Sequence, residues 1–395
     1  MEETGLKTTV QSILQLGYAA FDRSHRLPEH VRDAAWSLMH CRTAVLGGHV
    51  QSCPEGHFQR IWYNSCRHRF CPQCAQVQVE DWLRKQKARL LDCDHYHVIF
   101  TLPDELRQLW RYNTRLMTEL LFKTVRDTLF ELLEDEKHLG AKPGMMASLQ
   151  TWSKTLVLHP HVHCLVTGGG LSRSADWVGL KRDYLLPFRV VRDLFRGKMC
   201  AALRQALEQR QIVLPEAMRV QGLRNLLNQL GRQKWNVKIC QKYSHGNGVL
   251  IYLGRYLRGG PISNRRIVEV TGEKVTFSCG RDQPESLTLS VSEFIGRWLQ
   301  HVALPRAVVV RSYGIYARSS KAELARCRQI LGQGPLQQVE KLDWQSSFQG
   351  SEEHPEVCPV CGQRLVRMQA VSPLKPPPAS FREGRPQEVY GDKAA

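Results

Sequence analysis

The chain has 395 residues, 42% hydrophobic and 23% charged, a balance that suits folded domains with real cores and excludes a fibrous or wholly disordered protein. Lys and Arg number 55 against 37 Asp and Glu, a formal net charge of +18, and this excess points to a polyanionic partner, nucleic acid first of all. Apolar runs such as AVVV at 307–310 are too short to span a membrane and the N-terminus lacks a signal-peptide pattern, so the expectation is a cytoplasmic, nucleoid-associated bacterial protein.

In chain order, residues 1–40 read as a helical segment, with LPEHVRDAAWSLMHC placing Pro28 where a first turn accepts it. Residues 41–92 read as a zinc-binding domain and a basic connector helix. Thirteen cysteines kept reduced in the cytoplasm serve metals better than disulfides, and five of them fall with three histidines in CRTAVLGGHVQSCPEGHFQRIWYNSCRHRFCPQC. Ligands two or three residues apart can be offered to one ion by one tight turn. Cys53-x3-His57 and Cys71-x2-Cys74 are two such knuckles, thirteen residues apart, which suits a zinc-ribbon-like unit. Cys41, His49, Cys66 and His68 remain as further candidate ligands. Arg67 and Arg69, between the knuckle ligands, suit phosphates, or are ordinary solvated charges. AQVQVEDWLRKQKARLLD follows as the connector.

Residues 93–318 alternate between periods. Strands are expected at 96–103, 145–152, 161–167 and 235–243, helices over 104–138, 188–230 and 248–258, the last closed by Gly259 and Gly260, and a hairpin over 265–280 turning at Thr271-Gly272. The interleaving with hairpin-like spacing predicts an α+β fold with a central, mainly antiparallel sheet flanked by helices. Residues 319–366 form a C-terminal segment with a lone knuckle, Cys358 and Cys361 in CPVCG, for which His354 is a candidate third ligand. Residues 367–395, with KPPPASFREGRP, read as a disordered tail.

Two constellations carry chemistry. In HPHVHCLVTGGG, strand alternation puts His159, His161, His163 and Leu165 on one face and Val162 on the other. Pro160 cannot donate to a ladder, so pairing is expected to begin at His161, leaving His161 and His163 as the metal pair and the glycines at 168–170 as the exit loop. In GVLIYLGRYLRGG, Tyr252 and Tyr256 share one face of a helix. Two aromatic side chains at that spacing also suit a core, but Arg255, Arg258, Arg265 and Arg266 nearby suit DNA. A phenol of pKa near ~10 is a poor nucleophile unless its target is activated. A divalent cation on two imidazoles activates a phosphate by polarising it.

His161-Val162-His163, YLGRY, the CRT-LGGH-CP-SCRHRFCPQC cluster, HVIFTLP, FIGRWLQHVALP and VRSYGIY together resemble the two-tyrosine rolling-circle insertion-sequence transposases of the HUH endonuclease superfamily, over residues 40 to 316. The resemblance implies a zinc-binding domain ahead of an HUH-type catalytic domain, Mg or Mn on His161 and His163, and nucleophiles at Tyr252 and Tyr256. It also implies nicking and joining of single-stranded DNA, including hairpin DNA, at element ends through a 5′-phosphotyrosine. Cys53-x3-His57 departs from the C-x2-C of other members. A third ligand of the catalytic metal is open among His159, His97 and a polar residue near the tyrosine helix. A catalytically inactive zinc-dependent DNA-binding regulator and a rolling-circle replication initiator are the alternative readings.

Overall fold

The computed structural model describes residues 8–244, 246–254, 258–280, 285–342 and 355–374, the side chains of Gln241, Val249 and Tyr252 excepted. It opens with α1 (Val10–Ser24) and α2 (Glu29–Met39). Thr9 caps α1 in a reciprocal box: its hydroxyl accepts from the Ser12 amide and the Ser12 hydroxyl accepts from the Thr9 amide. Pro28 sits at the start of α2, as its fixed φ favours. A hairpin of β1 (Gly48–Ser52) and β2 (Gln59–Tyr63) and the helix α3 (Ala75–Arg89) lead to β3 (His95–Thr101). Then come α4 (Arg107–Tyr112), α5 (Thr114–Glu134), β4 (Lys142–Trp152), β5 (Leu158–Leu171), β6 (Trp177–Gly179), α6 (Phe188–Glu208), α7 (Val220–Leu230), β7 (Val237–Tyr243) and α8 (Asn247–Gly254). The chain goes on through β8 (Ile267–Thr271), β9 (Lys274–Ser278), β10 (Ser286–Ser290), α9 (Val291–Leu299), β11 (Val310–Gly314), α10 (Lys321–Ile330) and β12 (Val366–Val371).

The central sheet runs β11-β4-β5-β3-β7, with β6 added to the far end of β5, and every pairing is antiparallel. The expected α+β architecture is therefore what the chain adopts. Alternation divides the sheet sharply. Val98, Phe100, Ala147, Leu149, Val162, Cys164 and Val166 face one way into the main core, under α4, α5, α6 and α7. Each side chain of that size, fully buried, contributes roughly 1.5–3 kcal/mol. Register puts His95, His97, Ile99 and Thr101 of β3 opposite Thr167, Leu165, His163 and His161 of β5, so these share the other face. A smaller core of Met146, Leu165, Trp82, Leu250, Leu253 and Tyr316 joins that face to α3 and α8.

The glycines at 168–170 are not an exit loop. They lie inside β5, where Gly170 opposes Pro143 and Gly169 pairs with Gly179 of β6. A Cβ on Gly170 would stand 2.6 Å from the Lys142 carbonyl oxygen, so close strand approach explains the residue type. Nor does pairing wait for His161: β5 begins at Leu158, opposite Trp152. Pro160 is tolerated because β4 is irregular between Gln150 and Trp152, and on its other side Pro160 only accepts, from the Leu102 amide at 3.1 Å.

A second core takes Ile13, Leu14 and Phe21 of α1 with Val275 and Phe277 of β9 and Phe294, Ile295 and Trp298 of α9. Gly17 lets α1 approach α9, since a Cβ there would meet Val291 at 2.3 Å. The sequence's hairpin appears as β8 and β9, turning at Gly272 with φ +57°, and β10 extends it to three strands. The N-terminal helices and the 262–302 region thus share one core. The last described strand is the largest departure: β12 pairs with β1, so ordered structure runs to Val371, past the expected tail boundary at 367.

Candidate active site and metal centres

His161 and His163 stand at the middle of the sheet with ring centroids 4.8 Å apart, both buried. His161 Nδ1 lies 2.5 Å from the His159 carbonyl oxygen, an acceptor, so Nδ1 carries the proton and Nε2 keeps its lone pair. His163 is held on both sides, Nδ1 being 3.0 Å from His97 Nε2 and Nε2 3.0 Å from Gln150 Oε1. Burial lowers His161 and His97 to a pKa of about 4 each. His163 falls to about 2, through burial first and then through the neighbouring His161 and His97. All three rings are neutral at pH 7, the form in which imidazole ligates metal. The His159 ring, part-exposed, lies 5.2 Å from that of His161, with Nδ1 3.6 Å from an Asp104 carboxylate oxygen.

A further histidine supports the same face. The Leu91 amide donates to Tyr316 Oη at 3.1 Å, Oη lies 2.7 Å from His95 Nε2, and His95 Nδ1 lies 2.9 Å from the Cys93 carbonyl. That chain fixes the tautomer: Nδ1–H donates to the carbonyl, and the phenol donates to Nε2. Gly246, at φ +60°, brings the start of α8 against the His95 ring, where a Cβ would come within 2.9 Å. Helix α8 packs over this face, with Leu250 and Leu253 buried beside Leu165 and Met146, and Gly254 lets it close on Leu83 of α3. Tyr252 is therefore carried on a helix seated on the histidine face. Arg255 and Tyr256 lie outside the described residues, as does His354.

Sequence reasoning had His97 among the candidates and missed Gln150 and His95. Gln150 was legible through alternation in MMASLQTW, where Met146, Ser148 and Gln150 must face together.

The cysteines sort differently from the expected ribbon. Cys41, Cys66, Cys71 and Cys74 bring their sulfurs within 4.8 Å of one another, and Cys53 and His57 gather instead with Cys358 and Cys361. The β1–β2 hairpin projects Cys53 and His57 away from the Cys71 knuckle, so neighbours in sequence part in space. His49, a candidate ligand, joins neither group and sits within β1 with Nε2 buried. In the four-cysteine group, Sγ atoms of Cys41 and Cys66 lie 3.4 and 3.8 Å from that of Cys74. Tetrahedral Zn–S bonds of ~2.3 Å require S···S near ~3.8 Å, so four buried thiolates fit a structural zinc. Arg67 between them takes φ +54°, in the left-handed region that a tight knuckle imposes.

The proposed phosphate contacts also separate. Arg67 and Arg265 are exposed. Arg266 spends its guanidinium on the Ser278 and Lys154 carbonyls, both at 2.8 Å, and braces the β8–β9 hairpin. Arg69 and Arg258 line a cavity of about 520 Å³ with Trp110, Arg111, Arg115, Trp152, Arg306 and Arg311. Leu158, at the start of β5, closes one side of it.

Residues 144–323 match the family model described as Putative transposase, and residues 13–102 match that described as Transposase zinc-binding domain. The putative transposase y4qJ of Sinorhizobium fredii (strain NBRC 101917 / NGR234) is 33% identical over 353 residues, spanning 86% of this chain and 89% of that protein. The transposase for insertion sequence element IS801 of Pseudomonas savastanoi pv. phaseolicola is 29% identical over 354 residues, 85% of this chain and 83% of that protein. A zinc-binding N-terminal region joined to a histidine-bearing antiparallel sheet is thus the architecture of a transposase. The chain belongs to the transposases that carry the IS91-type zinc-binding domain.

Proposed function

We propose that this transposase nicks and rejoins single-stranded DNA at the ends of an insertion sequence, driving rolling-circle transposition through a 5′-phosphotyrosine. The observation that carries the reading is that α8, which bears Tyr252, packs on the sheet face where His161 and His163 meet. His161 Nε2, a His163 nitrogen released from its bond to His97 or Gln150, and the Gln150 amide oxygen would hold the cation, Mg or Mn, with the imidazoles favouring Mn and the amide oxygen suiting either. When bound there, the cation polarises the scissile phosphate and offsets the charge that develops on it.

The chain's own groups divide the remaining work. Gln150 and His97 orient the His163 ring, the His159 carbonyl orients His161, and the stacked sheet holds both rings still. A tyrosine oxygen attacks phosphorus, the phenolic proton leaves, and the bond to the 3′ oxygen breaks, freeing a 3′ hydroxyl. Because the phosphotyrosine ester keeps one ester bond for another, a second strand's 3′ hydroxyl can reverse the step. Tyr252 and Tyr256, one turn apart in sequence, would hold two strands at once. The cavity lined by Arg115 and Arg258, beside Arg69 and Arg111 that are held by the Ala307 carbonyl and Gln300, suits the phosphates of a single strand, which seek positive charge.

Incubation with a single-stranded oligonucleotide carrying an element end, with Mg²⁺ or Mn²⁺, is expected to give a denaturant-resistant protein–DNA adduct that chelator abolishes. Tyr252→Phe with Tyr256→Phe should remove it. An adduct formed equally well by the double variant would show the nucleophile to be elsewhere.

A further inference from the structure

The second metal group is built from opposite ends of the chain, and neither family match reaches its C-terminal half. Cys53 follows β1 directly, and its turn is closed by the Cys53 amide donating to Phe58 O at 2.8 Å and the Gly56 amide donating to Cys53 O at 3.0 Å, with Gly56 at φ +75°. The segment 355–374 repeats the device: the Cys358 amide donates to Gln363 O at 2.8 Å and the Gly362 amide to Cys358 O at 2.9 Å, with Gly362 at φ +73°. Each turn presents two ligands from one side. The antiparallel register Ser52↔Val366 through Gly48↔Val371 sets the two turns at the same end of the paired strands.

Cys53 Sγ lies 3.5 Å from Cys361 Sγ and 3.9 Å from His57 Nδ1, and all four ligand atoms fall within 4.8 Å. Tetrahedral zinc with three sulfurs and one nitrogen asks for S···S near ~3.8 Å and S···N near ~3.6 Å. Among the described residues the apolar core here is Cys53, Cys358, Leu365 and part-buried Phe58, while Val360, Met368 and Leu374 are each at least two-thirds exposed. So small a unit needs a staple to order some twenty residues. Polar contacts help to align it: Glu356 is buried between Arg364 at 3.0 Å and Arg367 at 3.2 Å, and Arg60 donates to the Pro355 carbonyl.

We infer that Cys53, His57, Cys358 and Cys361 bind a second zinc ion, which clamps the C-terminal segment to the N-terminal zinc-binding region and completes the sheet β2-β1-β12. Residues 308 apart in sequence then share one ion, and the polypeptide between them, including the whole catalytic sheet, becomes a closed loop. Such a crosslink withholds conformational freedom from the unfolded chain in the way a disulfide would, in a compartment where thiols stay reduced.

Metal content of the full-length protein tests this. Wild type should hold two zinc ions per chain. Cys358→Ser with Cys361→Ser should hold one, and Cys53→Ser should hold one as well. Hydrogen exchange separates a lost clamp from a failed fold: in both variants the β12 amides should exchange at least 10-fold faster while those of β5 remain protected. Cobalt substitution should give wild type two sets of tetrahedral bands, with one lost in the variants. One zinc in wild type, two in any of these variants, or a β12 as protected after zinc loss as before would each overturn the proposal.

Discussion

The two faces of the central sheet are made from the same strands and differ in almost everything else. One is dry: Phe100 packs edge-on to Phe195 at 4.9 Å, and Val98, Val162, Cys164 and Val166 are fully covered by helices. The other holds four buried histidines and Gln150. Burying those imidazoles is costly, as their lowered pKa values record. Stability alone would fill such positions with valine and isoleucine, and a cost sustained on one face and not on the other is a ground for the proposed active site. The dry face is what permits it, since a well-packed layer behind β5 holds the rings in fixed positions.

Substitutions can break that contrast from either side. The largest effect is expected on the histidine face: His161→Ala with His163→Ala should reduce DNA adduct formation per folded molecule by on the order of 10²–10³-fold or more, beyond the stability lost where His97 and Gln150 are left unpaired. On the dry face, Phe100→Ala should cost about 3–5 kcal/mol in urea unfolding and leave adduct formation per folded molecule near wild type. If both variants lost activity and stability in step, the two faces would not be doing separate jobs.

The fold was legible where signals are local. Alternation in HVHCLV placed Val162 in the core and the histidines opposite, and Gly272 marked a hairpin, because side-chain direction and turn chemistry depend on a few adjacent residues. What failed depended on pairing. Gly168 to Gly170 read as a loop because glycine is flexible, yet the neighbouring strands press so near Gly169 and Gly170 that a Cβ would fall within 2.6 Å of its nearest neighbour. Cys53 and His57 read as partners of Cys71 and Cys74 because they are close in sequence. The hairpin that separates them, and the strand 366–371 that brings Cys358 and Cys361 to them, involve contacts across some three hundred residues that spacing does not encode. For the site itself, sequence supplied His161 and His163 and the register supplied Gln150. Tyr252 was legible as a helix residue, and its seating on the histidine face follows from Leu250 and Leu253.

Smaller effects sharpen the contrast further. His301 is buried between Thr151 Oγ1 at 3.1 Å and the Leu156 carbonyl at 3.0 Å, and burial lowers its pKa from 6.5 to about 4. Between these values the unfolded chain binds more protons than the folded one. Its contribution to stability is therefore complete above pH 6.5 and lost as pH falls toward 4. The thermal midpoint of wild type should drop across that window by more than that of His301→Gln, and equal drops would contradict the assignment. Smallest of all, Arg115→Ala in the basic cavity should weaken binding of single-stranded DNA modestly and reduce the slope of log affinity against log salt by about one. An unchanged slope would place the strand elsewhere.

The central claim is that α8 delivers the nucleophile to the histidine face, and the most direct measurement is to locate the covalent bond. After adduct formation and exhaustive nuclease and protease digestion, mass spectrometry should find a nucleotide 5′-phosphate on the peptide that contains Tyr252 and Tyr256. A nucleotide on any other peptide, or a cleaved strand with no protein attached, would contradict the account.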